Sequence, residues 1–236
     1  MNIKIKDTHT LSLINHIHKA GGHCFIVGGF IRDNILGIYS EDIDIEVFNI
    51  SNELLKEIIL EQGFDIYEVF GVVQIKGLKT QFATPRTEVS TGIGYKEFEI
   101  NLNPHLSIKE AATRRDLTIN SIYYDLINNK VIDPYNGLRD IKNKVLSRNT
   151  EHYKEDPLRA LRTIRFSYKY NFSINDLTLK DMPLMLNDIN TINSTILNKE
   201  LNKIFDLVDK EVFYKDFLKL SKNEFKYIVR EDIWKN

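Results

Sequence analysis

The stretch HCFIVGGFIRDNILGIYSEDIDIEVF, residues 23–48, decides the fold. Its apolar run HCFIV ends at two glycines, Gly28 and Gly29, and FIRDNIL follows, which predicts a strand that turns directly into a helix. Glycines at such a turn let backbone N–H groups approach a phosphate at the N-terminus of the helix. Arg32, one turn further on, can place its guanidinium on the same phosphate.

Two carboxylates follow this helix at the start of the predicted strand IDIEVF (43–48). Asp42 and Asp44 are two residues apart, so strand alternation puts both on one face while Ile43 and Ile45 face the core. Carboxylate oxygens are preferred ligands of hard cations such as Mg²⁺. A D-x-D pattern alone is common in acidic loops, but beside the glycine pair it predicts that metal and phosphate meet at one end of a sheet.

The composition is that of a globular protein. Of the 236 residues, 42% are hydrophobic and 28% are charged, which is enough for one large domain or for a domain with a smaller helical partner. The sequence contains no run of about 20 apolar residues, and its start lacks the apolar core of a signal peptide, so we expect a cytoplasmic protein that does not bind membranes. Its one cysteine, Cys24, lies in an apolar run and excludes a disulfide within one chain.

The charges are unevenly distributed along the chain. Residues 31–106 contain 6 basic and 13 acidic side chains, whereas residues 107–175 contain 13 basic and 8 acidic ones. The acidic region could collect metal ions and the basic region could bind polyanions.

The remaining pattern predicts an α/β block with a mostly antiparallel or mixed sheet, followed by helices. SNELLKEIILEQG (51–63) has the pattern of an amphipathic helix, and three short strands follow between residues 65 and 84. Residues 85–106 are expected to form a mobile loop with a weak strand near 97–102. From Ser107 the pattern favours helices, including DLTINSIYYDL (116–126), with a short strand near residues 130–135. We expect a first domain over residues 1–148 and a helical second domain over residues 149–236.

Four motifs together resemble the head and neck of a class II tRNA nucleotidyltransferase, the bacterial CCA-adding and poly(A) polymerase family. The resemblance covers roughly residues 21–175. The motifs, in chain order, are GGFIRD with DID (28–44), RRDLTIN (114–120), DPYNGLRDIKNKVL (133–146) and EDPLRALRTIRF (155–166).

This resemblance implies a polymerase-beta-like nucleotidyltransferase head with a mixed sheet and a small all-helical neck and body. It implies that Asp42 and Asp44 are catalytic and bind Mg²⁺. The implied contacts to the incoming nucleotide are Gly28, Gly29, Arg32, Arg115, Asp116 and Asn120.

The fourth motif implies residues that choose the base. On a helix, Asp156 and Arg159 are neighbours at i and i+3 and can present an acceptor and a guanidinium side by side, with Glu155 next to them. Such a pair can accept from the exocyclic amine of cytosine or adenine and donate to the adjacent ring atom. Arg162 and Arg165, on the same helix face, can hold phosphates or the primer end.

The sequence departs from the family pattern at two places. Gln81 stands where the family typically carries an acid that helps to hold a metal, and Glu46 and Glu88 are candidate replacements. The family's helical body and tail are also shorter here, which suggests weaker tRNA binding unless a second copy or a protein partner supplies the missing surface.

The leading hypothesis is a template-independent enzyme that uses CTP and ATP to add C and/or A, as in CCA, to tRNA 3′ ends with release of pyrophosphate. The same motifs would serve a poly(A) polymerase or an enzyme restricted to A or to CC. A third alternative, suggested by Gln81 and the short body, is a catalytically degenerate module that binds nucleotide or RNA without turnover.

Overall fold

The computed structural model describes residue 3 and residues 5–90 and 98–220. These residues form two compact units. The first contains the described residues up to Val89, Ile100–Arg115 and Ile119–Leu138, and the second contains the described residues of Ser90–Glu99, Asp116–Thr118 and the described residues from Arg139 onward. The domain boundary after residue 148 stays a prediction.

The strands and α-helices alternate in the first part of the chain, and helices dominate the rest. The strands are β1 (His23–Val27), β2 (Ile43–Phe48), β3 (Ile66–Val69), β4 (Val72–Ile75), β5 (Thr80–Ala83), β6 (Arg86–Ser90), β7 (Phe98–Leu102), β8 (Tyr123–Asp125), β9 (Lys130–Ile132), β10 (Val145–Leu146) and β11 (Ser173–Ile174). The helices are α1 (Thr8–Lys19), α2 (Gly29–Ile35), α3 (Asn52–Glu61), α4 (Ile108–Ala112), α5 (Gly137–Asn143), α6 (Leu158–Tyr170), α7 (Asp176–Asn187), α8 (Ser194–Phe205) and α9 (Lys210–Leu220).

The first unit is built on a seven-stranded sheet with the strand order β3-β4-β5-β2-β1-β8-β9. Strands β2 and β5 pair in parallel, and the other neighbours pair antiparallel, so the predicted mixed sheet is confirmed. Strands β6 and β7 form a separate two-stranded sheet. Part of the predicted mobile loop 85–106 is thus a strand, the weak strand near 97–102 corresponds to β7, and residues 91–97 lie outside the described residues.

The two faces of the main sheet are covered differently. Helices α1 and α2 pack on β1, and α3 packs on β3 and α1. On the other face, Ala111 and Ala112 of α4 pack against Phe25, Val27 and Tyr123, which cover β1 and β8. Strands β5, β4 and β3 lie in the sheet beyond β2, away from the strands that this apolar cluster covers.

One predicted helix is wrong. DLTINSIYYDL was expected to be helical, but only Thr118–Asn120 forms a short 3₁₀ turn, and Tyr123–Asp125 is strand β8. All three residues of β8 are buried between β1 and β9, so a strand uses both faces of this tyrosine-rich segment. Its partner β1 is distant in sequence, whereas β9 follows directly after the turn at residues 126–129, so only the pairing with β9 is local.

The second unit is mostly helical. Helix α6 packs against α7 and α8, and α9 packs against α7 and α8. The large side chains Tyr153, Phe213 and Phe217 are almost completely buried in this unit. Three described α-helices follow α6. In the part of the chain that the structure describes, none of the helices is both long and apolar enough to cross a membrane.

Candidate active site

The glycine turn and the second carboxylate meet at one end of β1 and β2. Val27, the last residue of β1, is directly opposite Asp44. Gly28 follows with φ of 70°, a conformation that favours glycine. A Cβ atom on Gly28 would lie 3.2 Å from Nη1 of Arg115 and 3.6 Å from Oδ2 of Asp44. Glycine therefore lets the backbone run directly between a carboxylate and a guanidinium.

The predicted metal ligands lie at the start of β2. Asp42 is exposed just before the strand, and Asp44 is half-buried within it. Mg²⁺ is typically held by one or two carboxylates together with waters and substrate phosphates, so this donor set fits a magnesium ion. Among the described residues, no group of three or more histidine, cysteine, aspartate and glutamate side chains is arranged to hold a metal.

Gln81 lies directly opposite Asp44 on the parallel strand β5. Its Nε2 donates a hydrogen bond to Oδ1 of Asp44, and its Oε1 accepts one from Nε2 of Gln74 at 3.3 Å. The amide therefore occupies one lone pair of the carboxylate, where the family pattern has an acid.

The prediction that Glu46 could replace the missing acid as a metal ligand is wrong. Glu46 is only 1% exposed and accepts hydrogen bonds from Nη2 of Arg114 at 2.5 Å, Nη2 of Arg115 at 2.8 Å and the Tyr123 hydroxyl at 2.8 Å. Burial opposes its ionisation, but the charges of Arg115 and Arg114 hold the pKa of its carboxyl below the usual value. A carboxylate with three such donors is a partner for arginine and not a metal ligand.

Glu88, the other candidate replacement, is also held by guanidinium groups. Its Oε1 accepts from Nε of Arg86 at 2.9 Å and lies 3.9 Å from Nη1 of Arg114. Burial, and then the charge of Arg114, lower the pKa of Arg86. Glu88 therefore balances two closely spaced arginines.

Arg32 and Asn120 lie beside the glycine turn. Arg32 is buried, its Nε donates to Oδ1 of Asp33 at 2.9 Å and its Nη1 donates to Oδ1 of Asn120. Nη1 of Arg115 points to the Asn120 carbonyl at 3.4 Å. Five predicted nucleotide contacts thus come together around the first turn of α2, namely Gly28, Gly29, Arg32, Arg115 and Asn120.

In the second unit, three arginines of α6 each face a carboxylate. Nε of Arg162 donates to Oδ2 of Asp116 at 2.8 Å, and the charge of Asp116 raises the pKa of Arg162. Nε of Arg165 donates to Oε1 of Glu200 at 2.5 Å. These contacts bring the predicted pair Asp116 and Arg162 together, whereas Glu200 is a partner that sequence analysis did not assign.

The predicted base-reading pair is present with a different backbone. Asp156 precedes α6 in an extended conformation, and its Oδ1 accepts from the Leu158 backbone N–H at 2.9 Å. Oδ2 of Asp156 lies 3.8 Å from Nε of Arg159, whose Nη1 donates to the His152 carbonyl at 2.5 Å. Burial raises the pKa of Asp156. The adjacent Glu155 accepts from His152 Nδ1 at 2.7 Å when that nitrogen carries a proton.

The match to a known family covers the glycine turn, Asp42, Asp44 and Arg115 but ends before α6. The model of the family described as "Poly A polymerase head domain" matches residues 24–147, more than half of the chain. The chain belongs to this family. The resemblance to the class II tRNA nucleotidyltransferases is thereby confirmed.

Relatives of this poly(A) polymerase head-domain protein include enzymes named for CCA addition. A "CCA-adding enzyme" of Francisella tularensis subsp. novicida is 40% identical over 159 residues, which is 66% of this chain and 42% of the relative. A "Multifunctional CCA protein" of Mannheimia succiniciproducens is 38% identical over 148 residues, 62% of this chain and 34% of the relative. The chain thus spans less than half the length of both curated relatives.

Solved structures confirm the fold class. A "tRNA-processing enzyme (apo form I)" superimposes with a TM-score of 0.73 at 26% identity, covering 98% of this chain and 60% of that one. A structure of a tRNA-processing enzyme with CTP gives a TM-score of 0.70 at 26% identity, covering 91% and 58%. This family member therefore has the α/β head, followed by helices, that the resemblance implied.

One group of residues in this family member was not predicted from the sequence. Glu46, Arg114 and Tyr123 form a buried ionic cluster with Arg115. Burial lowers the pKa of Arg115, but Glu46, Tyr123 and Asp44 together raise it above its usual value. The signal that could have revealed it is the contrast between an acidic segment containing Glu46 and a later basic segment that opens near Arg114. An acidic segment and a basic segment of one chain attract each other, which favours ion pairs between them.

Proposed function

We propose that this chain is a metal-dependent nucleotidyltransferase that adds C and/or A, as in CCA, to tRNA 3′ ends and releases pyrophosphate. The observation that carries the proposal is the convergence of Asp44, Gly28 and Arg115 at the end of two adjacent strands. The names of the solved neighbours support tRNA as the RNA and CTP as a nucleotide, and the names of the relatives, which print CCA, support the addition of A as well.

In this proposal, Asp42 and Asp44 hold Mg²⁺. The ion, when bound, supplies positive charge beside the reacting phosphate and makes the attacking 3′ hydroxyl more acidic. The backbone N–H groups at Gly28 and Gly29 and the guanidinium of Arg32 bind and orient the triphosphate. Because these donors are fixed before the substrate arrives, they stabilise developing negative charge without reorganising.

Arg115 is held by the buried Glu46 carboxylate while its Nη1 lies beside Gly28. We assign it the role of neutralising phosphate charge at the turn. Asn120, which accepts from Arg32, and Asp116, which accepts from Arg162, are proposed neighbours of the ribose and phosphates. Each of these side chains already has a partner that fixes its orientation, as a preorganised site requires.

The choice of nucleotide is assigned to Asp156 and Arg159, with Glu155 beside them. An ionised Asp156 accepts from the exocyclic amine of cytosine or adenine, and Arg159 donates to the adjacent ring atom, a pattern that uracil and guanine do not match. Arg162 and Arg165 are proposed to hold phosphates of the nucleotide or the primer. Their present carboxylate partners, Asp116 and Glu200, fix the orientation of both guanidinium groups on α6.

Incorporation of labelled CTP and ATP, separately and together with Mg²⁺, tests the proposal. The acceptors are tRNA transcripts that end before CCA, after C, after CC and after CCA. Stepwise addition that stops at CCA supports the full activity. Incorporation of one nucleotide type alone identifies an A-only, CC-only or poly(A) enzyme, and the absence of incorporation into every acceptor refutes the proposal.

A second candidate, a module that binds nucleotide or RNA without turnover, is favoured by the hydrogen bond from Gln81 to Asp44. Gln81→Glu replaces this neutral donor by a carboxylate. If Gln81 limits catalysis, this variant should incorporate CTP faster and at lower Mg²⁺ concentration, with Gln62→Glu, at the exposed C-terminal end of α3, as the control. Binding of ATP by the wild type with no incorporation by either protein would favour the second candidate.

The compartment and assembly belong to the same proposal. A tRNA substrate makes the cytoplasm the expected location, which fractionation of the source cells tests. The expected homo-oligomer or protein partner stays a prediction, which light scattering of the purified chain tests.

A further inference from the structure

A continuous row of side chains crosses four strands of the main sheet and ends at the candidate metal site. Tyr67 of β3 is opposite Gln74 of β4, Gln74 is opposite Gln81 of β5, and Gln81 is opposite Asp44 of β2. Directly opposed residues project from the same face of a sheet. The hydrogen bonds from Gln74 to Gln81 and from Gln81 to Asp44 follow the same line.

This part of the sheet face is open, whereas its continuation is covered. Val27 and Tyr123, the next residues of the same row, are buried under α4. In contrast, the Tyr67 side chain is 67% exposed, Gln74 is exposed and Gln81 is half-buried. The Tyr67 ring contributes little to the core, and its exposed face on the open part of the sheet is accessible to a flat ligand.

The chemistry of the row fits single-stranded RNA. A flat aromatic ring stacks on a base, and amide side chains both donate to and accept from base edges and riboses. Lys76, two residues after Gln74, lies 3.9 Å from Asp65 in an ion pair in which both side chains are 83% exposed. A pair this exposed is weak, so Lys76 can exchange Asp65 for an RNA phosphate.

The length of the row sets the position of the stacked base. Three strand spacings of about 4.8 Å place the Tyr67 backbone about 14 Å from that of Asp44. Three stacked nucleotides rise about 10 Å, and an extended strand covers more. A 3′ hydroxyl at Asp44 therefore brings the second or third nucleotide from the RNA end over Tyr67.

We propose that the row Tyr67–Gln74–Gln81 is the binding track for the unpaired 3′ end of the acceptor RNA. Tyr67 stacks on a base two or three nucleotides before the reacting end, and Gln74 and Gln81 hydrogen-bond to the nucleotides between Tyr67 and Asp44. This inference rests on the proposed function, because that function places the RNA end at Asp44.

The test uses the full chain and a fluorescent RNA hairpin with a three-nucleotide unpaired 3′ end, compared with a blunt hairpin. Tyr67→Thr removes the ring but keeps a residue that favours strands, and Tyr67→Phe keeps the ring. We expect Tyr67→Thr to weaken binding of the overhang hairpin about tenfold and to leave the blunt hairpin unaffected. Tyr67→Phe should bind as the wild type does. The matched control is Tyr39→Ala, since Tyr39 is 75% exposed in the same unit but lies outside the row.

Three results would overturn the binding track. The first is that Tyr67→Thr binds the overhang hairpin with unchanged affinity. The second is that Tyr67→Thr loses the same affinity for both hairpins. The third is that Tyr67→Thr changes only the oligomeric state of the protein, which would make β3 a protein-binding edge. The CTP incorporation assay, run in parallel, separates the two proposals. If the wild type incorporates CTP but Tyr67→Thr binds the overhang hairpin as well as the wild type does, only the binding track is refuted. If Tyr67→Thr weakens binding of the overhang hairpin but the wild type incorporates no nucleotide into any tRNA acceptor, only the enzymatic proposal is refuted.

Discussion

Replacing the buried carboxylate of Glu46 should destabilise the first unit strongly. Glu46→Ala leaves the guanidinium groups of Arg114 and Arg115 and the Tyr123 hydroxyl without their shared acceptor. Removal of one partner from a buried ion pair costs about 3–5 kcal/mol. The two arginine side chains retain 17% and 13% of their exposure, so water solvates them in part. We therefore expect the lower end of this range, about 3 kcal/mol.

Urea unfolding followed by circular dichroism measures this loss directly. For a chain of this size, the same change should lower the Tm by about 6–12 °C. Glu88→Ala is the matched control, because Glu88 also binds a guanidinium but is more exposed, and it should cost about 1 kcal/mol. A loss for Glu46→Ala below about 1 kcal/mol, or one equal to that of the control, would refute the view that Glu46 anchors the two arginines.

Three further predictions concern the site and the pH dependence. Asp42→Ala removes an exposed carboxylate, so CTP incorporation should fall by about a hundredfold or more while the unfolding free energy changes by less than about 0.5 kcal/mol; retained activity would contradict its catalytic role. Arg159→Ala removes the guanidinium beside Asp156 and should reduce discrimination against UTP and GTP about tenfold, and an unchanged preference in competition assays would argue against base reading by this pair. Burial, followed by the charge of His23, lowers the pKa of His18, whose Nε2 faces the Cys24 N–H at 3.3 Å. The stability contributed by neutral His18 is present above about pH 6.5 and declines as the pH falls through the lowered pKa of the folded state. Between pH 7.5 and pH 5, the urea midpoint of the wild type should therefore fall more steeply than that of His18→Asn. Equal slopes for the two proteins would count against this assignment.

The local parts of the site were predictable from sequence because each depends on neighbouring residues. The positive φ of Gly28 and the start of α2 follow from a glycine pair between an apolar run and a helical pattern. The position of Asp44 on the face of β2 follows from alternation in a strand. These features require no knowledge of distant contacts.

The parts that sequence analysis missed depend on such distant contacts. Strand alternation places Glu46 on the same face of β2 as Asp44, which suggested a metal ligand. The positions of Arg114 and Tyr123 show instead that Glu46 is a buried ion-pair partner. Strand β8 was predicted as helix because its pairing with β1, which is distant in sequence, helps to determine its conformation. Asp156 was expected on a helix, but it caps the helix from outside and still lies beside Arg159.

The parallel pairing of β2 with β5 has a consequence for how the protein folds. Strands β2 and β5, which carry Asp44 and Gln81, are separated in the chain by helix α3 and the hairpin β3–β4. Their contact therefore closes a loop of more than thirty residues. Non-local pairings form slowly because the entropy of loop closure is lost before the contact stabilises the chain. The contact between Asp44 and Gln81 is therefore expected to form late in refolding, after the antiparallel pair β1–β2, whose connection through α2 is shorter.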